Sequence, residues 1–198
     1  MKYLFIYLYI IVSFTDCKAQ KKNNMKTFDI ESFNKHKDHL NNYSFKNNNG
    51  DLIQQDRWQF GFEEIVTKKE NLISTYYKFY ENGQLKLQGD FYPNDFEKGI
   101  WKEYDEQGNL IEETDYDAPY KFTWEDILKL IEKRGIDMTH ENFEIGRNIV
   151  DNRPVWGIIY GKEESDKLGI IGIYGDTGEI FQESEKDGSE GGSYDDED

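Results

Sequence analysis

Between Tyr76 and Tyr116 the chain writes one short pattern twice, and a pattern repeated at so short a distance leaves few folds open. In the first copy Tyr77, Tyr80, Gly83, Leu85, Asp90 and Phe91 follow in order. In the second, Trp101, Tyr104, Gly108, Leu110, Asp115 and Tyr116 take the same places. The copies lie about 25 residues apart, a period that belongs to stacked supersecondary units. This alignment places one extra residue in the second turn, Glu106-Gln107-Gly108 against Asn82-Gly83. Each copy alternates ring or aliphatic residues with polar ones on either side of a turn, which predicts a β-hairpin. Glycine stands where such turns require positive φ. Aromatic residues make up 16% of the chain and there are 3 prolines, so cross-strand ring pairs are the natural cement. Trp101 and Tyr104 are expected to pack against rings of the neighbouring copy, such as Tyr77 or Tyr80.

The run Gly99-Ile100-Trp101-Lys102-Glu103-Tyr104, followed by Gly108-Asn109-Leu110, resembles the MORN-repeat variant G-x-W-x-x-Y-x-x-x-G-x-L of the YwqK-type antitoxins. The first copy has Tyr77 where that motif has tryptophan. A more degenerate copy begins at Tyr43, with Phe45 to Ile53 reading FKNNNGDLI. The resemblance implies a β-hairpin repeat that binds, with structural roles for Tyr77, Tyr80, Gly83, Leu85, Gly99, Trp101, Tyr104, Gly108 and Leu110. It implies no catalytic residue.

At the start, Met1-Lys2 precedes an apolar run from Tyr3 to Phe14, the anatomy of an export signal. The lone cysteine, Cys17, follows at once, as in a bacterial lipoprotein signal where it becomes the lipidated first residue. Asp16 is unusual before such a cysteine, and the rivals are cleavage after Ala19 or an uncleaved anchor. A single cysteine has no disulfide partner in its own chain. Residues 1–16 then form the signal and 17–27, rich in Lys and Asn, a tether. A cell-envelope position facing the periplasm is expected, with soluble secretion as the alternative.

Residues 28–121 hold a first helix and the hairpins. From Phe28 to Leu40, Ile30, Phe33 and Leu40 share a helical face, with Asp29 as cap. His36 and His39 lie three apart there, but lysines surround them and no third ligand is near, so no metal is expected. Arg57 to Phe62 alternates as a strand leading into the repeats. Residues 122–182 read as a helix, capped by Thr123-Trp124-Glu125-Asp126 and stopped by Gly135, then antiparallel strands over Phe143–Val150, Val155–Tyr160 and Leu168–Tyr174, with Ile180-Phe181 beyond a turn. With its Asp176-Thr177-Gly178-Glu179-Ile180 turn this region is similar to PepSY-like exported domains. The fold class is therefore α+β and β-rich: hairpin repeats, then a small helix-plus-antiparallel-sheet unit. From Gln182 onward Glu, Asp, Gly and Ser dominate, which predicts a disordered acidic tail over 183–198. Asp187-Gly188-Ser189-Glu190 supplies only a fragment of a calcium loop.

A net charge of −16 with no Lys/Arg cluster points away from nucleic acid and toward a basic protein partner. The chain lacks G-x-S-x-G, a phosphate loop and H-E-x-x-H, and no cofactor is implied. The expected function is non-catalytic: an exported, lipid-anchored module binding a protein through its hairpins, in the manner of an antitoxin or immunity protein. The alternatives are an envelope lipoprotein contacting glycan or membrane, and an unrecognised hydrolase. Alternation places Lys78, Lys86, Gln88, Lys102, Glu103 and Glu112 toward solvent as partner contacts.

Cys17→Ser should move the protein from the membrane to the soluble fraction on cell fractionation. A wild-type chain that is already soluble, with Gln20 as its first residue, would exclude lipidation.

Overall fold

Three turns of the same build set the first sheet: Asn47 to Asp51, Tyr80 to Gln84 and Asp105 to Asn109. In each, the first residue's N–H donates to the last residue's carbonyl at 2.9–3.0 Å, and a glycine N–H returns to the first residue's carbonyl. The glycines Gly50, Gly83 and Gly108 stand at φ 85°, 80° and 81°, which side-chain-bearing residues seldom adopt. The outer two turns add the same side-chain link. Asn47 Nδ2 donates to Asp51 Oδ2 at 3.0 Å, and Asn109 Nδ2 donates to Asp105 Oδ2 at 2.9 Å, with amide and carboxylate exchanged.

The computed structural model describes residues 25–69, 72–92, 96–162 and 166–188. After helix α1 (Ile30–His36), seven strands follow: β1 (Asn42–Lys46), β2 (Leu52–Trp58), β3 (Gly61–Thr67), β4 (Ser74–Tyr80), β5 (Leu85–Tyr92), β6 (Phe96–Tyr104) and β7 (Leu110–Asp115). They pair antiparallel in chain order. Helix α2 (Trp124–Arg134) leads to β8 (Glu144–Val150), β9 (Arg153–Gly161), β10 (Lys167–Tyr174) and β11 (Ile180–Asp187), which form a second antiparallel sheet in the order β11-β10-β9-β8. The fold is the β-rich α+β arrangement of hairpins followed by a helix and a small sheet.

The register of the repeat differs from the sequence alignment. The turns of the two copies are equally long, so no residue is inserted. Tyr76 and Trp101, Phe79 and Tyr104, Gly83 and Gly108, Leu85 and Leu110, Asp90 and Asp115, and Phe91 and Tyr116 then fall at one constant spacing. The strand pairing agrees, because β4–β5 slips between Lys78 and Phe79 and β6–β7 slips between Glu103 and Tyr104, the equivalent place. The tryptophan's counterpart is therefore Tyr76, one residue before the Tyr77 first aligned with it.

One face of the large sheet is covered by α1. Phe28, Phe33, Phe62, Phe79 and Leu85 bury there, with Phe28 stacked on Phe62 at 4.4 Å and Phe33 edge-on to both. The helix is shorter than its apolar spacing predicts. It starts at the Asp29 cap, whose Oδ1 accepts from Ser32 N at 2.9 Å, and stops at His36. The Asp38 carboxylate takes the N–H groups of Leu40 and Asn42, a local alternative to helical bonding that leaves Leu40 exposed. His36 stacks on Tyr43, and no metal-ligand cluster exists among the described residues.

The end of the expected tether also belongs to the fold. Lys26 pairs with the buried Glu64 at 2.7 Å and lies 4.5 Å above the Tyr77 ring, while Gln55 Nε2 donates to the same carboxylate at 2.6 Å. A buried carboxylate needs such partners, and they draw residues 25–27 onto the sheet. Cys17 and the signal segment lie outside the described residues.

In the second unit, the Thr123–Asp126 capping box opens α2 and Gly135, at φ 64°, closes it. Trp124, Ile127 and Ile131 pack on Ile145, Trp156, Ile158, Ile171 and Ile173. Contrary to the composition-based expectation of a disordered tail, β11 continues through Asp187 against β10. Two of its three acidic side chains are neutralised within the chain. Glu183 forms a forked pair with Arg134, and Glu185 pairs with Lys162 and, at 3.8 Å, with Lys167. Residues 189–198 lie outside the described residues.

Phe96 and Tyr120 bury in this second core, and Tyr92 lies 5.3 Å from Trp124, so the two sheets share packing. Arg147 stands at the junction with a side chain only 5% exposed. Its guanidinium lies 4.9, 4.6 and 5.4 Å from the rings of Phe96, Tyr120 and Trp156. It donates to Asp117 Oδ1 at 2.8 Å and to the Glu97 carbonyl.

Burial alone would raise the Asp117 carboxyl. The Arg147 hydrogen bond, the Gly99 N–H and the charges of Arg147 and Lys98 outweigh it and hold the carboxyl below its ordinary value of 3.8. A depressed acid stabilises the fold above its unfolded pKa, and that contribution vanishes as pH falls through the folded value. Asp117→Asn should therefore lower the melting temperature at pH 7 by an amount that shrinks below about pH 4. Its size should be on the order of 1 kcal/mol or less, because the partly exposed carboxylate is screened. Arg147→Ala should cost on the order of 3 kcal/mol at pH 7 in denaturant titration, since it removes the ring sandwich and strands Asp117.

Candidate binding face of the hairpin sheet

Strand alternation sends every second side chain away from α1. Along the pairing register this open face carries Glu63 beside Lys78, Ile65 beside Tyr76, Tyr76 beside Gly89, Phe91 beside Glu97, Leu87 beside Glu103, and Glu103 beside Glu112. Trp101 stands at its centre. A Cβ at position 89 would collide with the indole, so Gly89 is the seat of the Trp101 ring. The indole N–H donates to the Asp90 carbonyl at 2.9 Å. The ring stacks with Tyr76 at 5.9 Å and meets Tyr116 edge-on at 5.9 Å.

Trp101 is the shared wall of two clefts. One, of about 360 Å³, is lined by Ile65, Tyr76, Phe91, Tyr92 and Phe96. The other, of about 320 Å³, is lined by Leu87, Glu97, Glu103, Glu112 and Thr114. A third, of about 610 Å³, lies toward the turns between Trp58, Phe60, Tyr80, Lys86 and Glu106.

Electrostatics divides the face. Burial, followed by the negative charge of Glu63 and a hydrogen bond to it, pushes the Tyr76 phenol far above its usual value and keeps it a neutral donor. Glu63 also pairs with Lys78 at 3.3 Å, and that ammonium lies 3.9 Å from the Trp58 ring. This end of the face is internally satisfied, apart from the Trp58 indole N–H, which is buried without a hydrogen-bond partner among the described residues. At the other end Glu97, Glu103 and Glu112 form no ion pair among the described residues. Glu103 and Glu112 oppose each other directly across β6 and β7, an arrangement of like charges that costs stability. Rings beside uncompensated carboxylates suit a cationic side chain.

The residues singled out in the sequence divide between the two faces. Tyr77, Leu85 and Tyr104 join the cluster under α1, and Tyr80 Oη donates to the Tyr104 carbonyl at 2.8 Å. Gly83 and Gly108 form the turns, Gly99 adopts φ 66°, and Leu110 is exposed. Of the expected contact residues, Lys78, Glu103 and Glu112 lie on the open face, and Lys86 lies over the Trp58 and Tyr80 rings. Gln88, bonded to Tyr104 Oη at 3.3 Å, and Lys102, paired with Glu113 at 3.5 Å, lie on the α1 side. Tyr76, Gly89 and Glu97 were missed. The constant spacing of the repeat identifies Tyr76, and a glycine on the strand next to a tryptophan identifies Gly89 only once the register is known.

Trp101 is half-buried and lies outside both core clusters. Trp101→Ala should cost about 2 kcal/mol, below the range for a fully buried ring. Gly89→Val should cost at least as much, because it expels the same indole. Thermal unfolding of both variants checks this, and an unchanged midpoint for Gly89→Val would refute the seat. Comparisons with protein-family models, with characterised proteins and with solved structures give no match to this chain.

Proposed function

We propose that this chain is a tethered binding protein that acts without turnover, occupying a basic protein partner through the open face of its hairpin sheet. The observation that carries the reading is the uncovered end of that face, where Trp101 stands among Glu97, Glu103 and Glu112 with no counter-ion among the described residues. A net charge of −16 favours encounter with a basic surface. The motif resemblance of Gly99 to Leu110 supports an immunity-like role, the occlusion of a basic toxin. The signal-like start, with Cys17 as the lipidated residue, supports a membrane-anchored position in the envelope.

The mature chain should capture a basic partner from an envelope extract, with retention falling as salt rises. Glu103→Lys together with Glu112→Lys should abolish capture at an unchanged melting temperature. Truncation after Gly188, which spares β11, should slow association and leave the equilibrium largely intact. Loss of the partner on truncation alone, with the double reversal binding normally, would move the site to the tail and overturn the proposal.

A further inference from the structure

The meander ends at β7, and no strand among the described residues pairs with its outer side. Such an edge presents backbone N–H and C=O groups in a row, ready for another strand. All of β7 except Thr114 is exposed, including Leu110 and Ile111 at its start, 51% and 59% exposed.

Its charges distinguish this edge from the others. β1 carries no carboxylate along its length, and β8 carries one, Glu144, with the cation Arg147 on the same strand. β11 is acidic, but Arg134, Lys162 and Lys167 of the same chain answer Glu183 and Glu185. On β7, Glu113 has Lys102, whereas Glu112 faces Glu103 with no cation among the described residues. Two copies meeting edge to edge would bring Glu112, Glu113 and Asp115 of each together, so charge repels a second copy. The same row attracts a basic strand.

We infer that β7 accepts an extended segment of the partner, with Lys or Arg at alternate positions, as an added antiparallel strand of the sheet. This rests on the binding-face reading above and gives it a mode. A residue of the added strand paired beside Glu112 projects onto the open face. Its long stem crosses beside Glu112, and its charged head meets the Glu112 and Glu103 carboxylates. Backbone pairing supplies the affinity and the alternating cations supply the selectivity.

The test uses the full mature chain and synthetic peptides of about ten residues, the length of a long strand. One peptide alternates Lys with Thr. A second is the same with alternate backbone amides N-methylated, and a third alternates Glu with Thr. The Lys–Thr peptide should bind and protect the β7 amides from hydrogen exchange. Glu103→Gln and Glu112→Gln should each weaken it about two- to fivefold, and the Glu–Thr peptide should not bind. N-methylation should weaken binding at least tenfold, the loss of a few backbone hydrogen bonds. Equal binding of the N-methylated peptide would overturn strand addition while leaving the open face as a charged docking surface. Absence of peptide binding in a chain that still captures its partner through Glu103 and Glu112 would overturn it as well. So would protection of β7 by concentration-dependent self-association, which would give the edge to a second copy.

Discussion

The Arg147 guanidinium holds together what would otherwise be two separate sheets. A cation surrounded by the rings of Phe96, Tyr120 and Trp156 is tolerable in a nearly dry site only because Asp117 and the Glu97 carbonyl accept its hydrogen bonds. Those acceptors come from opposite ends of the second hairpin copy, the entrance of β6 and the exit of β7. The start of β6 is thereby fixed against α2 and β9. That position brings Tyr92 and Phe96 to the rim of the cleft beside Trp101 and Tyr76, so the geometry of the candidate face depends on a contact outside it.

Turns and alternation made much of the first sheet legible in the sequence, but Arg57 to Phe62, read as one strand, contains the Gln59-Phe60 turn that joins β2 to β3. The asparagine–glycine and aspartate–glycine runs specify their own hydrogen bonds, and the strands between them follow. The repeat's register was harder to read, because Tyr76-Tyr77 and Phe79-Tyr80 are doublets of rings. Either member of each doublet satisfies an aromatic pattern, yet the two point to opposite faces of a strand. The Trp101 partner was accordingly sought at Tyr77 or Tyr80 when it is Tyr76. Equal turn lengths resolve the choice, and those are visible in hydrogen bonds and not in residue types.

Two departures share one cause: charge near the chain's ends was read as solvation. Lys26 and the stretch from Gln182 to Asp187 have compositions typical of a tether and a tail, but each meets its counter-ions across the fold, at Glu64 and at Arg134 and Lys162. Such pairs are non-local and leave no periodic trace. Arg147 escaped notice for the same reason, since nothing beside it in the chain announces three rings and a carboxylate. That Glu103 and Glu112 meet no cation among the described residues was equally illegible, because it depends on where the lysines go.

The chain-order meander has a kinetic meaning. Every strand of both sheets pairs with a sequence neighbour, so each hairpin can form as soon as its two arms and turn are present, at low loop-closure cost. The junction is one exception: Arg147 reaches Glu97 across 50 residues of chain. Local hairpins should therefore assemble early, with docking of the helix-bearing unit onto the β6 entrance as the slow closing event. Until Arg147 arrives, the rings of Tyr92, Phe96 and Trp124 stand in water. The interval before docking is thus when this acidic, otherwise well-solvated chain is most exposed to aggregation.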